Sequence, residues 1–386
     1  MSIQRLILTK ETVEPIKKGH PWVYKGGIKN FEEKRIPIGS PVIVVDNKNR
    51  HVAFGLVDSG DIIVRILGKK PDKIPDLLRR RILLAHQMRM QILPPQTNAY
   101  RLLNGEGDLL PGLVVDRYDH LLVLKIYASC WEPYLDDILD ALEAIDGVNC
   151  IFRRYGVRNV DGRKGGEVVS GQPVPETLVV QENGLKFLVR PKVGQKTGLF
   201  LDQRENRAFL GQRSRNLRVV NLFAYTGGFS VYAAAGGAAQ VTTVDIAPEA
   251  IEDAKENFRL NGISLDKHIF ECTDAFNWKS DAVIDLLICD PPSLSHDRKS
   301  EQRAAQAYGN LAYQCGKMLK KGGFLASSSC TSRITYDHWE KMISLGLKGN
   351  GQWTKLWSTK NPPDHPVLNS HREGNYLKFA LFYRVK

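Results

Sequence analysis

Several features are missing from this sequence of 386 residues, and each absence excludes a class of protein. No run of 18 apolar residues occurs, so no membrane-spanning helix is expected. The six cysteines form no C-x-x-C pair, which argues against a zinc ribbon and a disulfide framework. The N-terminal stretch MSIQRLILTKETVEP lacks the apolar segment and cleavage site of a signal peptide. We therefore expect a reduced, cytoplasmic globular protein without a metal site.

Acidic residues are in the minority. The chain has 42 Asp and Glu against 54 Lys and Arg, for a formal net charge of +12. An excess of this size favours a polyanionic partner such as nucleic acid, because binding releases counterions. The chain is also too long for one ordinary core, so several domains are expected.

The N-terminal half divides into three segments of different texture. Residues 1–72 contain three apolar runs separated by the turns DNKNR and DSGD, which predict a small β-barrel. Residues 73–99 predict a helical linker that Pro94 and Pro95 end. Residues 100–190 predict a central α+β domain of two strands, a helix and two or more further strands, with a long basic turn, GVRNVDGRKGG.

The predicted linker helix, at 75–93, has an apolar stripe and a basic load. The stripe is formed by Leu77, Leu78, Ile82, Ala85 and Ile92, and the basic residues are Arg79, Arg80, Arg81 and Arg89. A solvated helix face and a phosphate-binding face explain these arginines equally well. The helix is also a candidate homodimer interface.

Residues 191–386 alternate strands with helices, which predicts a parallel α/β sheet covered on both faces. Its first strand, Val219–Phe223, runs into Thr226 and Gly227, and its second strand ends in Asp245. Ligands of such sheets bind at the carboxyl ends of the strands, where a carboxylate can accept hydrogen bonds from the hydroxyls of an adenosine ribose. The chain lacks G-x-G-x-x-G, so a dinucleotide is disfavoured.

The same spacing continues along the sheet. Asp274 follows the third strand, where a carboxylate can accept from an adenine amino group. The fourth strand ends in Asp290, followed by Pro291 and Pro292, which force a rigid corner. An isolated D-P-P is a weak signal, but one in register with two other strand-end acids strongly indicates a substrate site.

Cys330 follows the fifth strand, in GGFLASSSC. Because strands four and five of such sheets are usually neighbours, we expect this thiol to lie across from Asp290. Thr335 is the predicted N-cap of a following helix, whose N-terminus would favour the thiolate. The other cysteines of this half, Cys272, Cys289 and Cys315, are interpreted as buried and inert.

Long stretches of the chain resemble one family, the PUA-domain-containing class I S-adenosylmethionine-dependent 23S ribosomal RNA (cytosine-C5) methyltransferases. The similar stretches are GHPWVYKGGI at 19–28, GEGDLLPGLVVDRY at 105–118, GQKTGLFLDQRENR at 194–207, NLFAYTGGFSV at 221–231, DPPS at 290–293, SSSC at 327–330 and DHPVLNSHREGNYLKF at 364–379. The resemblance implies a Rossmann-like methyltransferase domain over 191–386, preceded by a PUA-like RNA-binding barrel and a small α+β domain.

The resemblance also implies a cofactor and a reaction. The implied cofactor is S-adenosyl-L-methionine, and the implied substrate is large-subunit ribosomal RNA or its precursor, with Cys330 as nucleophile and Asp290 as its acid partner. The implied cofactor-binding residues are Lys196, Thr197, Gly198, Phe200, Asp202, Arg204, Asn221, Phe223, Tyr225, Thr226, Gly227, Asp245, Ile246, Asp274, Ala275 and Asp290.

Three alternatives compete with this reading. The chain could methylate a guanine without a cysteine nucleophile, although such enzymes often place an aromatic residue after D-P-P, where this chain has Ser293. It could be a catalytically inactive RNA-binding assembly factor, which an intact cofactor pocket disfavours. It could also be a nucleotide-dependent oxidoreductase, which the missing glycine pattern disfavours.

Overall fold

The computed structural model describes residues 3–29, 36–156, 162–294 and 301–386. The chain folds into two compact units. Unit 1 contains Met1–Val180, Val189–Leu201 and Pro363–Gly374, and unit 2 contains Gln181–Leu188, Asp202–Pro362 and Asn375–Lys386. The four-part division predicted from the sequence stays a prediction.

The N-terminal part of unit 1 is a curled five-stranded sheet. Its strands are β1 (Gln4–Ile7), β2 (Trp22–Tyr24), β3 (Pro41–Val45), β4 (His51–Val57) and β5 (Ile62–Gly68), in the order β1-β3-β4-β5-β2. A bridge between Leu8 and Ile28 links the two edges and closes the sheet into the predicted barrel. A short helix, α1 (Lys10–Lys17), buries Val13 and Ile16, and the sequence reading missed it.

The predicted linker helix is α2 (Ile74–Ile92). Its buried stripe packs into the core of unit 1, and Arg89 continues that stripe where the sequence reading expected a solvated or phosphate-binding side chain. Arg89 is fully buried, and its guanidinium donates to both carboxylate oxygens of Asp108, at 2.5 and 2.7 Å. Ile92 is exposed, contrary to prediction, and it is the last residue of the helix, beyond the buried stripe.

A second five-stranded sheet completes unit 1. Its strands are β6 (Ala99–Asn104), β7 (Leu113–Tyr118), β8 (Leu121–Ile126), β9 (Cys150–Arg154) and β10 (Gly166–Gly171), in the order β10-β9-β8-β7-β6, and its helix is α3 (Leu135–Glu143). In this domain three strands precede α3, whereas the sequence predicted two. The additional one is β6, which pairs antiparallel with β7. A hairpin of β11 (Leu178–Glu182) and β12 (Leu185–Val189) follows.

Unit 2 is built on a seven-stranded sheet. Its strands are β13 (Arg218–Leu222), β14 (Gln240–Asp245), β15 (Ile269–Cys272), β16 (Ile284–Cys289), β17 (Leu319–Ser329), β18 (Trp353–Thr359) and β19 (Lys378–Arg384), in the order β15-β14-β13-β16-β17-β19-β18. The four pairings among the first five strands are parallel, as predicted, but β19 runs antiparallel to both β17 and β18, so the sheet is mixed.

Helices cover both faces of this sheet. They are α4 (Arg204–Gly211), α5 (Gly228–Ala235), α6 (Pro248–Leu260), α7 (Glu301–Met318) and α8 (Tyr336–Lys348). Successive strand residues alternate between two cores: Leu286 and Ile288 pack with α4 and α5, whereas Leu287 and Cys289 pack with α7 and α8. Burial on both sides explains why the central strands are continuous apolar runs. No helix in the described part of the chain is long and apolar enough to span a bilayer.

The buried pair of Arg89 and Asp108 yields a stability prediction. Replacing Asp108 by Ala leaves the Arg89 guanidinium buried without its carboxylate, which should lower the free energy of unfolding by about 3–5 kcal/mol. Urea denaturation of the full-length protein measures this loss. The control is Asp72→Ala, because Asp72 pairs at 2.5 Å with the exposed Arg80 and should change stability little. Equal losses of unfolding free energy in the two variants would contradict a special contribution of the buried Arg89–Asp108 pair.

Candidate active site

The polar loops of unit 2 meet at one edge because its central strands are parallel and end together. Val244 and Cys289 both pair with Leu222, and Cys289 in turn pairs with Ser327 on β17. The segments that follow these strands therefore emerge at the carboxyl edge of the sheet. Ligands of open α/β sheets bind at this edge.

The loop after β13 has a strained backbone. Phe223 and Tyr225 have φ values of 57° and 49°, in the left-handed region. This conformation costs a non-glycine residue about 1–3 kcal/mol. Gly227 has a φ of 74°, and a Cβ there would lie 2.9 Å from the Cβ of Ala254. Glycine is therefore required at 227, where the loop packs closely against α6.

Asp245 and Asn257 hold this strained loop. The Asp245 carboxylate accepts from the backbone N–H of Tyr225 at 2.7 Å and from that of Ala247 at 3.0 Å. The Asn257 amide donates to the carbonyl of Thr226 at 2.8 Å. A carboxylate offers about four lone-pair sites, so Asp245 keeps acceptor capacity for the hydroxyls of a ligand.

Asp274 is half-buried at the next strand end. Its carboxylate accepts from the Phe276 backbone N–H at 2.9 Å and from the Asn277 amide at 2.6 Å. The residue after each of the two acids was also predicted to bind the cofactor. Ala275, after Asp274, is buried, and Ile246, after Asp245, is largely exposed. The structure thus places Asp245 and Asp274 after adjacent strands, as their spacing predicted.

Asp290 is linked to the neighbouring strand by a side chain that the sequence reading missed. The buried Gln203 amide donates to Asp290 Oδ2 at 3.0 Å and lies 2.7 Å from Ser328 Oγ. Gln203 is held in turn, because its Oε1 accepts from the Asn206 amide at 2.6 Å. Thr359 donates to the same Asn206 at 2.6 Å. Gln203 thereby fixes the D-P-P corner against β17.

Cys330 directly follows the end of β17 and is partly exposed. The next residue, Thr331, is buried, and its hydroxyl lies 2.8 Å from the Tyr308 hydroxyl and 3.3 Å from that of Ser293. Burial raises the pKa of Tyr308 to about 12, and negative charge on Cys330 and Asp290 adds to that rise. The Tyr308 hydroxyl is therefore neutral, and its pKa depends on the charges of both proposed catalytic groups, Cys330 and Asp290.

Helix α8 starts six residues after the thiol, with its predicted N-cap in place. Thr335 Oγ1 accepts from the His338 backbone N–H at 3.3 Å. The predicted cap is confirmed.

Three further predicted residues are buried in unit 2. The Asp202 carboxylate accepts from the Tyr376 hydroxyl at 2.7 Å, and Arg204 is fully buried. The Asn221 amide donates to Ser230 at 3.0 Å, while its Oδ1 is buried without a hydrogen-bond partner among the described residues. Cofactor contacts by these three side chains stay predictions.

Four predicted cofactor residues belong to unit 1, because the segment 194–207 is divided between the two units after Leu201. Lys196 lies over the ring of Phe200, with Nζ 4.4 Å from its centroid. The Thr197 hydroxyl donates to Asp116 at 2.6 Å, and Gly198 has a φ of 137°. Their cofactor contacts stay predictions, and Thr197 also has a role in the core of unit 1.

The inert cysteines are buried with one exception. Cys289 and Cys315 are buried, and a contact with Cys315 together with burial raises the pKa of the Cys289 thiol. Cys272 is exposed, so its predicted burial is wrong. The reason is its place on β15, the edge strand of the sheet, which only one neighbouring strand covers.

Some basic residues of α2 and of the basic turn at 156–166 have structural contacts, and others are exposed. Arg81 donates to the carbonyls of Leu67 and Leu109, and burial lowers its pKa to about 10. Arg79 and Arg80 are exposed. In the basic turn at 156–166, Arg163 and Lys164 are exposed, whereas residues 157–161, including Arg158, lie outside the described residues.

Two family models match this chain. Residues 6–69 match a PUA-like domain, and residues 147–368, more than half of the chain, match the S-adenosylmethionine-dependent methyltransferases. The chain belongs to the S-adenosylmethionine-dependent methyltransferase family. Membership in this family contradicts the oxidoreductase alternative.

Curated relatives of this methyltransferase align over almost their full length. A ribosomal RNA large subunit methyltransferase of Deinococcus radiodurans is 37% identical over 99% of this chain and 97% of its own. Ribosomal RNA large subunit methyltransferase I of Cronobacter sakazakii is 32% identical over 97% of this chain and 98% of its own.

Solved structures share the fold of this methyltransferase. A putative methyltransferase from Streptococcus mutans has a TM-score of 0.86 at 24% identity, covering 98% of this chain and 100% of that one. A putative methyltransferase complexed with SAH has a TM-score of 0.87 at 22% identity, with the same coverage. At these identities the likeness concerns the fold alone.

The residues at the strand ends of this methyltransferase fit its cofactor, S-adenosylmethionine. The fit rests on the remaining acceptor capacity of Asp245 and on Asn221 Oδ1, which has no hydrogen-bond partner among the described residues. Asp245 and Asp274 would hold the polar groups of the adenosine, and the cofactor would supply the methyl group.

Asp245→Ala tests the cofactor pocket. The change removes a charged acceptor and also frees the strained Tyr225 backbone, so we expect affinity for S-adenosylmethionine to fall by about 1–3 kcal/mol. Isothermal titration calorimetry measures the loss. The exposed Asp281→Ala is the matched control and should bind as the wild type does. Unchanged affinity in Asp245→Ala would remove Asp245 from the pocket.

Proposed function

We propose that this chain transfers a methyl group from S-adenosylmethionine to C5 of a cytosine in large-subunit ribosomal RNA, through a covalent bond between Cys330 Sγ and C6. The curated relatives named as ribosomal RNA large subunit methyltransferases support the RNA substrate. The observation that carries the chemistry is the position of Asp290 and Cys330 at one sheet edge, where Gln203 bridges Asp290 and Ser328, two residues before Cys330.

The covalent route answers the low nucleophilicity of C5 in cytosine. The Cys330 thiolate adds to C6, which turns the C5–C6 bond into an enamine whose C5 carries the electron pair. C5 would then accept the methyl group that S-adenosylmethionine supplies, as the methyl carbon exchanges its bond to sulfur for a bond to C5. A base removes the C5 proton, the C6–sulfur bond breaks, and Cys330 leaves as a thiolate.

Asp290 would hold the N3 and N4 edge of the target cytosine and share the proton that polarises the ring toward attack. Gln203 would keep this carboxyl in place, because its amide is hydrogen-bonded on both sides and has little freedom to move. Gln203 is thus proposed as a positioning residue for Asp290. The rigid Pro291–Pro292 corner would add to that preorganisation.

RNA binding would use the positive surface together with the PUA-like domain. The target base must leave its stack to reach a pocket at a strand end, and an unpaired base in a loop does so at low cost. Arg79, Arg80, Arg163 and Lys164 are exposed candidates for phosphate contacts. Buried Arg89 is not, because Asp108 and two carbonyls use its donors.

The guanine-directed alternative keeps the cofactor pocket and makes Cys330 a bystander. Ser293 disfavours it, because the residue after the D-P-P corner is then a small hydroxyl within reach of Thr331 and not an aromatic platform. An inactive assembly factor would bind RNA without methylating it. Homodimer formation through α2 stays a prediction, and the exposed apolar residues of this helix are Leu83, Leu84, Met90 and Ile92.

The covalent mechanism is tested with RNA that carries 5-fluorocytosine at the target position, which mapping of methylation in RNA from cells lacking the protein would identify. Fluorine cannot leave as a proton does, so elimination stalls and a stable protein–RNA adduct should accumulate. Cys330→Ala should lose both the adduct and methylation and keep its affinity for S-adenosylmethionine.

Two cysteine variants serve as controls for this experiment. Cys315→Ala, in the core, and Cys272→Ala, exposed on the edge strand, should both retain the adduct. A Cys330→Ala enzyme that methylates the same cytosine at a comparable rate would rule out the covalent route and favour an enzyme without a cysteine nucleophile.

Salt dependence tests the proposed phosphate contacts. Replacing Arg163 and Lys164 together by Ala should weaken RNA binding and reduce the slope of log affinity against log salt by about 1–2, since each phosphate contact contributes about 0.7–0.9. Fluorescence anisotropy at several salt concentrations measures both. Lys255→Ala is the control, because Glu252 already pairs with Lys255 at 2.7 Å. An unaltered slope in the double variant would exclude this turn from the interface.

A further inference from the structure

A buried lysine, Lys378, lies on the strand next to the one that leads into the proposed nucleophile, Cys330. Lys378, the first residue of β19, is only 1% exposed. Its Nζ donates to the carbonyl of Thr331 at 2.8 Å and to that of Tyr376 at 2.9 Å. Lysine is rarely buried to this extent without a charged partner. Within the described residues, no carboxylate forms an ion pair with it.

The sheet fixes this ammonium next to the thiol. Lys378 pairs in register with Ser329, the last residue of β17, and Cys330 follows Ser329. One of the carbonyls that Lys378 binds belongs to Thr331, so its backbone pairing with Ser329 and its side-chain contact with Thr331 flank Cys330 along the chain. An ammonium has three N–H donors, and the two carbonyls use two of them.

The charges of the two side chains are coupled. Burial lowers the pKa of Lys378 to about 8, and negative charge on Cys330 opposes that shift. Lys378 is therefore protonated at neutral pH and loses its charge as the pH rises through about 8. Among the described residues, Asp290 is an acid and Tyr308 is a phenol whose pKa is raised. Neither supplies a positive charge.

We propose that Lys378 is a positioning residue that holds Cys330 as the thiolate, and this inference rests on the proposed role of Cys330 as the nucleophile. The thiol proton leaves to solvent, and the buried ammonium compensates the negative sulfur. A nearby cation favours the thiolate over the thiol. A stabilised thiolate also leaves faster when the C6–sulfur bond breaks. Lys378 would thereby support the first and the last step of the reaction.

Peptide-resolved alkylation of the full-length protein by iodoacetamide, followed by mass spectrometry across pH 5–10, tests this proposal. The exposed Cys272 is an internal reference thiol in the same molecule. In the wild type, Cys330 should reach half-maximal alkylation about one pH unit or more below Cys272. Lys378→Met should remove most of this difference, whereas Lys378→Arg, which keeps the charge, should retain it.

The matched control is Lys355→Met, on neighbouring β18, because Lys355 is paired with Glu340 and much more exposed. It should leave the Cys330 profile unchanged. A wild-type Cys330 that titrates with or above Cys272 would overturn the proposal even if Lys378→Met failed to fold. A Lys378→Met protein whose Cys330 alkylation depends on pH as in the wild type would also overturn the proposal.

The proposed function can fail separately from this inference. A Cys330 that titrates low in a Lys378-dependent way, but forms no adduct with 5-fluorocytosine RNA, would refute the nucleophile role and support the coupling of the two side chains. An adduct formed equally fast by the wild type and Lys378→Met at pH 7 would support the nucleophile and overturn the role of Lys378.

Discussion

The parallel pairing of β16 with β17 is the constraint on which the candidate active site depends. Cys289 lies opposite Ser327, so the next residues of the two strands, Asp290 and Ser328, emerge side by side. Gln203 bridges those two side chains, which converts a register into a fixed geometry. A parallel ladder places the ends of its strands at one edge by construction, and Cys330 reaches that edge because β17 continues to Ser329.

Polar groups that would be costly to bury alone are satisfied by one another around this edge. Arg207 donates to both oxygens of Glu182, and Tyr232 donates to the Glu182 carbonyl at 3.1 Å. Thr359, Asn206 and Gln203 form a second chain of hydrogen bonds that ends at Asp290. Such networks fix side-chain positions when every member has its partner, and the proposed chemistry depends on fixed positions.

The residues that the sequence prediction missed share one property, which is that each has a partner at least 19 positions away in the chain. Gln203 lies in a stretch that the resemblance identified, between Asp202 and Arg204, yet its contact with Asp290 spans 87 positions. Lys378 opens an apolar strand, where its burial could be suspected but not the carbonyls that it binds. Arg89 continues an apolar helical stripe, and only the position of Asp108 made a buried charge acceptable there.

Local pattern determined much of this protein. Apolar runs, turn residues and strand–helix alternation predicted the barrel, the linker helix, the α/β sheet and the acids at the strand ends, because short-range periodicity reflects which faces are buried. The tertiary structure decided what periodicity does not encode: the edge position that exposes Cys272, the antiparallel course of β19, and the partners of Gln203 and Lys378. These depend on which strands become neighbours, and strand order is set by the packing of the whole sheet.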